Sequence, residues 1–291
     1  MIDSIPRLGG DNIMKRAVCV FIENKRHLWI QFKCLYTSFK YIHSNDTDLV
    51  VFCTKDIIDS IPNDCIKIEC EAASRKVLWQ NYGYINSVEC MTHENSEFLN
   101  NYDLILRSDL DTFLTPAWNN YIPMLYTAGR GGYVNDEYTK EKILNIANKL
   151  GLKHKNIFNV GSTNYGNAVL VREVCKLTTE VCKYILQNEF IDNEGNWPSW
   201  YKGVSLLYAN EIAVNHLVDN VILDGNKLDF GSASRESIYD HPHIHCWHTN
   251  DKFSKFMFEN GKYNNERIDL LNINEIADYC MYIALKSRSS I

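Results

Sequence analysis

The sequence predicts an α/β fold, a mainly parallel sheet flanked by helices in a single domain, and three observations predict it. Short apolar runs of strand length, at 17–22, 49–53 and 104–106, are separated by segments long enough for helices, the alternation that builds βαβ units. The first run opens into the polar loop Glu23-Asn-Lys-Arg26 and then a helical pattern, the order of a nucleotide-binding βα unit. A chain of 291 residues with ordinary charged and apolar fractions and few prolines can also bury a large core, which excludes disordered and fibrous classes.

Residues 1–15, with Pro6 and Gly9-Gly10, read as an irregular leader, and order is expected from Arg16. A strand at 17–22 precedes a helix whose apolar positions Leu28, Phe32, Leu35, Phe39 and Ile42 step by four and three. Strands follow at 49–53 and 65–70, then a helix over 84–99 and the strand ending in Arg107. The loops at 23–26, 71–75 and 107–111 then lie at the carboxyl ends of their strands and should converge on one crevice. In the second half a helix over 140–150 is closed by Gly151, a strand covers 168–171, and helices cover 173–187 and 205–217. A last helix starts at Ile273, with Asn272 and Glu275 as a capping box. No repeat, linker or low-complexity tract interrupts 16–291, so one continuous domain is expected.

The formal net charge is −6 with no basic tract, which argues against nucleic acid as a partner. No apolar run is long enough to span a membrane. The ten cysteines are scattered, several within apolar runs, and none forms a Cys-x-x-Cys pair, so buried reduced thiols in a cytoplasmic compartment are expected rather than disulfides.

The segment Asp103-Leu-Ile-Leu-Arg-Ser-Asp-Leu-Asp-Thr-Phe-Leu114 carries the clearest chemistry. Its apolar run delivers Arg107, Ser108, Asp109, Leu110 and Asp111 to the carboxyl end of a strand. Carboxylates at i and i+2 of an extended segment point to one side, where they can share Mg²⁺ or Mn²⁺ and, through it, phosphates. The alternative is a turn that caps a helix ahead of Pro116. A second copy, Asp46-Thr-Asp48, precedes its strand and reads as a solvated loop.

Four histidines crowd into His241-Pro-His-Ile-His-Cys-Trp-His248. In a strand His241, His243 and His245 share a face, and the cluster raises a second reading, a metal-dependent hydrolase. Glu211 and Asn215 lie one turn apart on a predicted helix. Glycine and amide side chains in Gly161-Ser-Thr-Asn-Tyr-Gly-Asn167 suit close approach to hydroxyls. Trp200, in Trp197-Pro-Ser-Trp-Tyr201, offers an aromatic face to a sugar ring or to the core. By position alone Glu23, Asn24, Arg75 and Asn86 are candidates for a base, ribose and phosphates. No Gly-x-Gly-x-x-Gly or Walker lysine loop is present, the isolated Gly129-Arg-Gly-Gly132 counts for nothing by itself, and 224–235 lacks the terminal Glu of an EF-hand loop.

The placement of Leu-Arg-Ser-Asp-Leu-Asp-Thr-Phe-Leu-Thr-Pro, residues 106–116, resembles the Asp-x-Asp segment of nucleotide-sugar-dependent glycosyltransferases with the GT-A (Rossmann-type) fold, and three later segments follow in the matching order. The resemblance implies a hexosyltransferase-type enzyme that uses Mn²⁺ or Mg²⁺ to move a sugar from a nucleoside diphosphate sugar, UDP-linked, to a glycan or other hydroxyl acceptor. It implies a nucleotide-sugar-binding half over 16–115 and an acceptor-binding half over 116–291. Asp109 and Asp111 would then bind metal, completed by His245, and Lys252, seven residues on, would meet the diphosphate with Arg107 and Ser108. His248 with Lys255 fits the same spacing. Glu211 would be a general base or electrostatic stabiliser, with Gly166, Asn167 and Trp200 on the acceptor side. A catalytically silent GT-A-like carbohydrate-binding protein is a further alternative.

Overall fold

A computed structural model describes residues 14–79, 81–247 and 252–288. The leader expected at 1–15 therefore lies outside the described residues except for Met14 and Lys15, and His248 lies outside them too. The strands β1 (Arg16–Ile22), β2 (Thr47–Cys53), β3 (Ile66–Glu69) and β4 (Leu104–Arg107) come from the first half of the chain. The short β5 (Thr112–Leu114) follows at once, and then β6 (Tyr126–Arg130), β7 (Val160–Asn167) and β8 (Val221–Leu223). One seven-stranded sheet runs β3-β2-β1-β4-β7-β6-β8, parallel throughout except for β7, which is antiparallel to both β4 and β6. Both halves contribute strands to that sheet, so the molecule is one mixed α/β domain.

All seven residues of β1 are buried, the continuous apolar run of a parallel strand covered on both faces. Its alternate residues serve two cores. Ala17, Cys19 and Phe21, with Val50 and Phe52 of β2, pack under the long helix α4 (Ala168–Asn188) and α5 (Ser205–Leu217). Val18, Val20 and Ile22, with Leu49, Val51 and Cys53, pack under Phe32 and Leu35 of α1 (Arg26–Ile42). Each fully buried Phe or Leu contributes roughly 1.5–3 kcal/mol over its exposed state. All ten cysteines are free and buried.

A second sheet runs β5-β10-β9, from β9 (Phe230–Gly231) and β10 (His243–His245). A third core lies against it, in which Phe113 and Ile244 meet Tyr279 and Cys280 of the last helix, α7 (Ile276–Ser287). Among the described residues no helix is long and apolar enough to cross a membrane.

Several elements differ from expectation. The helix expected over 84–99 is a single turn, α2 (Asn86–Glu89), flanked by tighter 3₁₀ turns that reach Asn101. Side chains there take the carbonyls that a helix would use. Ser96 Oγ donates to Met91 O at 2.9 Å and Thr92 Oγ1 to Glu89 O at 2.7 Å, the competition that makes such residues poor helix formers. The strand expected at 168–171 is the first turn of α4, because the Asn167 side chain accepts from Leu170 N and caps it. The strand is instead the preceding polar segment, β7. The helix α3 (Glu137–Lys149) is capped by Asp136, which accepts from Thr139 N at 2.7 Å, and Gly151 follows it at φ +68°. α7 begins at Ile276, after the expected box. Asn272 and Glu275 meet through a side-chain bond and a backbone turn, Glu275 N donating to Asn272 O at 2.9 Å, and neither side chain caps a helix N–H of the other as a capping box would. Asp46 is no free loop residue, since it pairs with the buried Arg16 at 2.6 Å.

Candidate metal and nucleotide site

β4 stops at Arg107, and the chain turns through Ser108, Asp109 and Leu110 before β5 carries it into the small sheet. β10 pairs antiparallel with β5, setting His245 opposite Thr112, and Cys246 N donates to Asp111 O at 2.9 Å. That register brings His245 to Asp111. One ligand atom each from Asp109, Asp111 and His245 lie within 4.8 Å of one another. Two carboxylates and an imidazole form a donor set suited to a hard or borderline divalent cation, and the nitrogen favours Mn²⁺ over Mg²⁺. The residues fit such an ion.

The surrounding groups hold these ligands in place. Arg107, almost fully buried, donates to Asp109 Oδ1 at 2.8 Å and to Ser162 O at 2.8 Å, and also reaches Ser87. His245 Nε2 lies 3.3 Å from Asp111 Oδ1, and Lys255 of the short helix α6 (Lys255–Glu259) pairs with Asp111 Oδ2. Burial alone would raise the Asp111 carboxyl; His245 and Lys255 outweigh it and hold the group well below the usual carboxylate range. His245 is pushed the other way: burial lowers it, but Asp111 and Asp229 raise it well above an ordinary imidazole. A cation at this cluster competes with the Nε2 proton.

The other histidines have separate tasks. His243 is fully buried, its Nδ1 accepting from Asp229 N at 3.1 Å and its Nε2 bonded to Ser108 Oγ at 2.9 Å. Burial lowers it to about 4, so it is neutral near pH 7. His241 stacks on Phe230 and bonds Asn226 O and Glu236. Among the described residues, the one cluster able to hold a metal takes a single histidine of the group, His245, and His241 and His243 are engaged elsewhere.

Other expected site residues reach the same end of the sheet. Glu23, buried at the end of β1, takes Lys25 at 2.7 Å and Arg75 at 3.4 Å. Asn86 accepts from Ser74 N at 2.8 Å and donates to Ser74 Oγ, and its neighbour Ser87 is the partner of Arg107. Glu23, Arg75, Asn86 and Arg107 thus tie the loops after β1, β3 and β4 together, with Asn24 exposed at the rim. Ser108 is fully buried and engaged with Thr112 and His243, so it supports the turn from behind.

Others lie elsewhere. β7 runs antiparallel, with Asn164 level with Arg107 and Asn167 level with Leu104. Gly166 and Asn167 therefore sit toward the opposite end of the strands, Asn167 about 10 Å from the level of Arg107 at ~3.3 Å per residue. Trp200 is 5% exposed and stacked between Phe190 and Tyr208, a core residue and not a sugar platform. Glu211 is fully buried, and its Oε2 accepts from Tyr133 OH at 2.7 Å and Asn159 N at 2.6 Å. It fastens α5 to the start of β7 rather than facing the crevice. Lys252 pairs with Asp278 of α7; the lysine at Asp111 is Lys255.

Sequence reasoning missed Asp229. This fully buried carboxylate sits at φ +61° between Thr163 and His245. Its room comes from Gly129, where a Cβ would fall 2.0 Å from Asp229 Oδ2. The glycine of the disregarded Gly129-Arg-Gly-Gly132 was the available signal.

A family model described as a domain of unknown function, DUF7164, matches residues 10–290. The chain belongs to the DUF7164 family. No curated protein matches this DUF7164 chain. Among solved structures it is similar to the apo structure of WbbM, a bifunctional glycosyltransferase, at 12% identity and a TM-score of 0.46. The match covers 84% of this chain and 48% of the other, so the chain spans about half that protein's length. A likeness that shallow carries no argument about activity.

Proposed function

We propose that the chain is a metal-dependent glycosyltransferase that moves a sugar from a nucleoside diphosphate sugar, UDP-linked by preference, to a hydroxyl acceptor. The observation that carries this reading is the meeting of Asp109, Asp111 and His245 at the carboxyl end of β4, where open α/β sheets bind ligands. The resemblance of residues 106–116 to Asp-x-Asp glycosyltransferases supports the same chemistry. A bound Mn²⁺ or Mg²⁺ would supply Lewis-acid stabilisation to the departing diphosphate.

The chain's own residues do the rest. Arg107 holds Asp109 from a buried position and presents a planar guanidinium there. Lys255 adds a second fixed positive charge beside Asp111, matched to anionic phosphate oxygens. Glu23, Arg75 and Asn86 brace the rim at which the nucleoside is read. In this proposal the acceptor is defined only as a hydroxyl.

Calorimetric titration with UDP, against GDP and ADP, in Mn²⁺ and in EDTA is the direct test. Binding of one nucleotide that EDTA abolishes, and that Asp111→Asn reduces at least about tenfold, is expected. Absence of nucleotide binding in the wild type overturns the reading, and nucleotide binding without sugar transfer would instead indicate a silent carbohydrate-binding protein.

A further inference from the structure

The geometry points to Asp229 as a positioning residue that sets the His245 imidazole for metal ligation; we propose it on the basis of the metal reading above. His245 has two ring nitrogens, and the structure gives each a different partner. Nε2 faces Asp111, 3.3 Å from Oδ1, and Nδ1 faces Asp229 Oδ1 at 3.2 Å. A carboxylate can only accept, so the Nδ1 position must carry the proton and Nε2 is the atom left for a cation. Carboxylates behind ligating histidines fix ring orientation and raise ligand basicity.

Asp229 is itself held from every side. Thr163 Oγ1 donates to Oδ1 at 2.5 Å and Thr163 N to Oδ2 at 3.3 Å. The backbone N–H of Asp229 donates to His243 Nδ1, and its carbonyl accepts from Trp247 Nε1 at 3.1 Å. Its side chain is fully buried. A carboxylate so placed needs hydrogen-bond donors or cations, and the ones that reach its oxygens are Thr163 and His245. Thr163 belongs to β7, Asp229 precedes β9 and His245 ends β10, so three elements of two sheets determine one imidazole.

The substitution Asp229→Asn distinguishes positioning from bulk. Asparagine tolerates the left-handed conformation at least as well as aspartate. Its single carbonyl must answer the backbone N–H of Thr163, which turns the amide N–H₂ toward His245 Nδ1. The Nδ1 proton is then lost and the Nε2 atom is protonated.

Two readouts test this without any activity assay. Mn²⁺ affinity, measured from the EPR signal of free ion, is expected to fall about 10–100-fold in Asp229→Asn. In ¹⁵N-labelled protein the His245 Nδ1–H resonance, assigned with His245→Gln, is expected in wild type with and without Mg²⁺ and absent in Asp229→Asn. A folded Asp229→Asn that binds Mn²⁺ like wild type overturns the positioning role while leaving the metal reading intact. A wild type that binds no Mn²⁺ overturns both. If Asp229→Asn fails to fold, the wild-type spectrum decides: a His245 Nδ1 that carries no proton in the presence of Mg²⁺ also overturns the role.

Discussion

At the scale of single residues, the site depends on atoms that are absent as much as on those present. Gly129 leaves the space that Asp229 Oδ2 occupies, and its backbone also passes so close to Gly161 that a Cβ on the latter would meet it at 2.4 Å. Gly129→Ala is therefore expected to destabilise the fold by roughly 1–3 kcal/mol, the cost of overpacking, and to displace Asp229. A urea melt gives the first effect and Mn²⁺ titration the second. Unchanged values in both would mean that the strand relaxes freely here. Asp109 and Asp111 were legible in the sequence because their chemistry is local: a strand, then two carboxylates two residues apart. His245 was legible as a residue type in a cluster, but the resemblance paired it with Lys252 by a seven-residue spacing that His248 and Lys255 fit equally. The lysine at Asp111 is Lys255 because α6 lies against the small sheet, and no spacing rule encodes that packing. Asp229 was illegible because its place is set by Thr163 and Gly129, distant in sequence.

At the scale of elements, reversal of one strand redistributes an expected binding loop. The segment 161–167 carries hydroxyl and amide side chains suited to an acceptor, yet as β7 it spends them inside the molecule. Thr163 goes to Asp229, Asn164 to Tyr126 and Asn210, and Asn167 to the cap of α4. Period-2 apolar alternation is missing from β7, so its strand character could not be read, and the apolar start of α4 took its place. Asn167→Ala is expected to cost about 1 kcal/mol, as loss of an N-cap does, with nucleotide and metal binding unchanged. Thermal melts and calorimetry check the pair, and a loss of ligand binding at unchanged stability would restore Asn167 to the site. Elements with a single strong apolar pattern, β1, α1 and β2, were legible throughout, since each buries what its period presents.

For the whole molecule, the Arg16–Asp46 pair joins the first strand to the second and reaches the segment after β5. Arg16 is fully buried, with Trp118 O and Tyr121 O accepting from it at 3.0 Å and Asp46 at 2.6 Å. Burial would raise the Asp46 carboxyl, but Arg16, helped by Thr47 and Ser44, holds it below its ordinary value. A depressed carboxyl contributes stability above its unfolded value near ~3.9 and loses it as pH falls through the folded one. Asp46→Asn is thus expected to lower stability at pH 7 by about 2 kcal/mol, less than for a fully buried pair because Asp46 is 23% exposed. The gap between wild type and variant should close as pH drops below about 4. Denaturant melts from pH 7 to pH 3 check it, and a constant gap would show that the carboxylate's charge is irrelevant.

Asp111 and Lys255 are 144 residues apart, and the ligands of the candidate centre are divided in the same way between the end of β4 and the end of β10. No fragment that stops short of β10 can assemble it, and closing so long a loop is left to tertiary folding. On the proposed reading, ion capture would thereby report on completion: a chain still lacking its last sheet has two carboxylates and nothing to close over them. At a concentration 100 times the dissociation constant, an ion bound only by the finished molecule would deepen the native state by about 2.7 kcal/mol. Refolding followed with and without Mn²⁺ would then differ in how long the native state survives rather than in how quickly it forms.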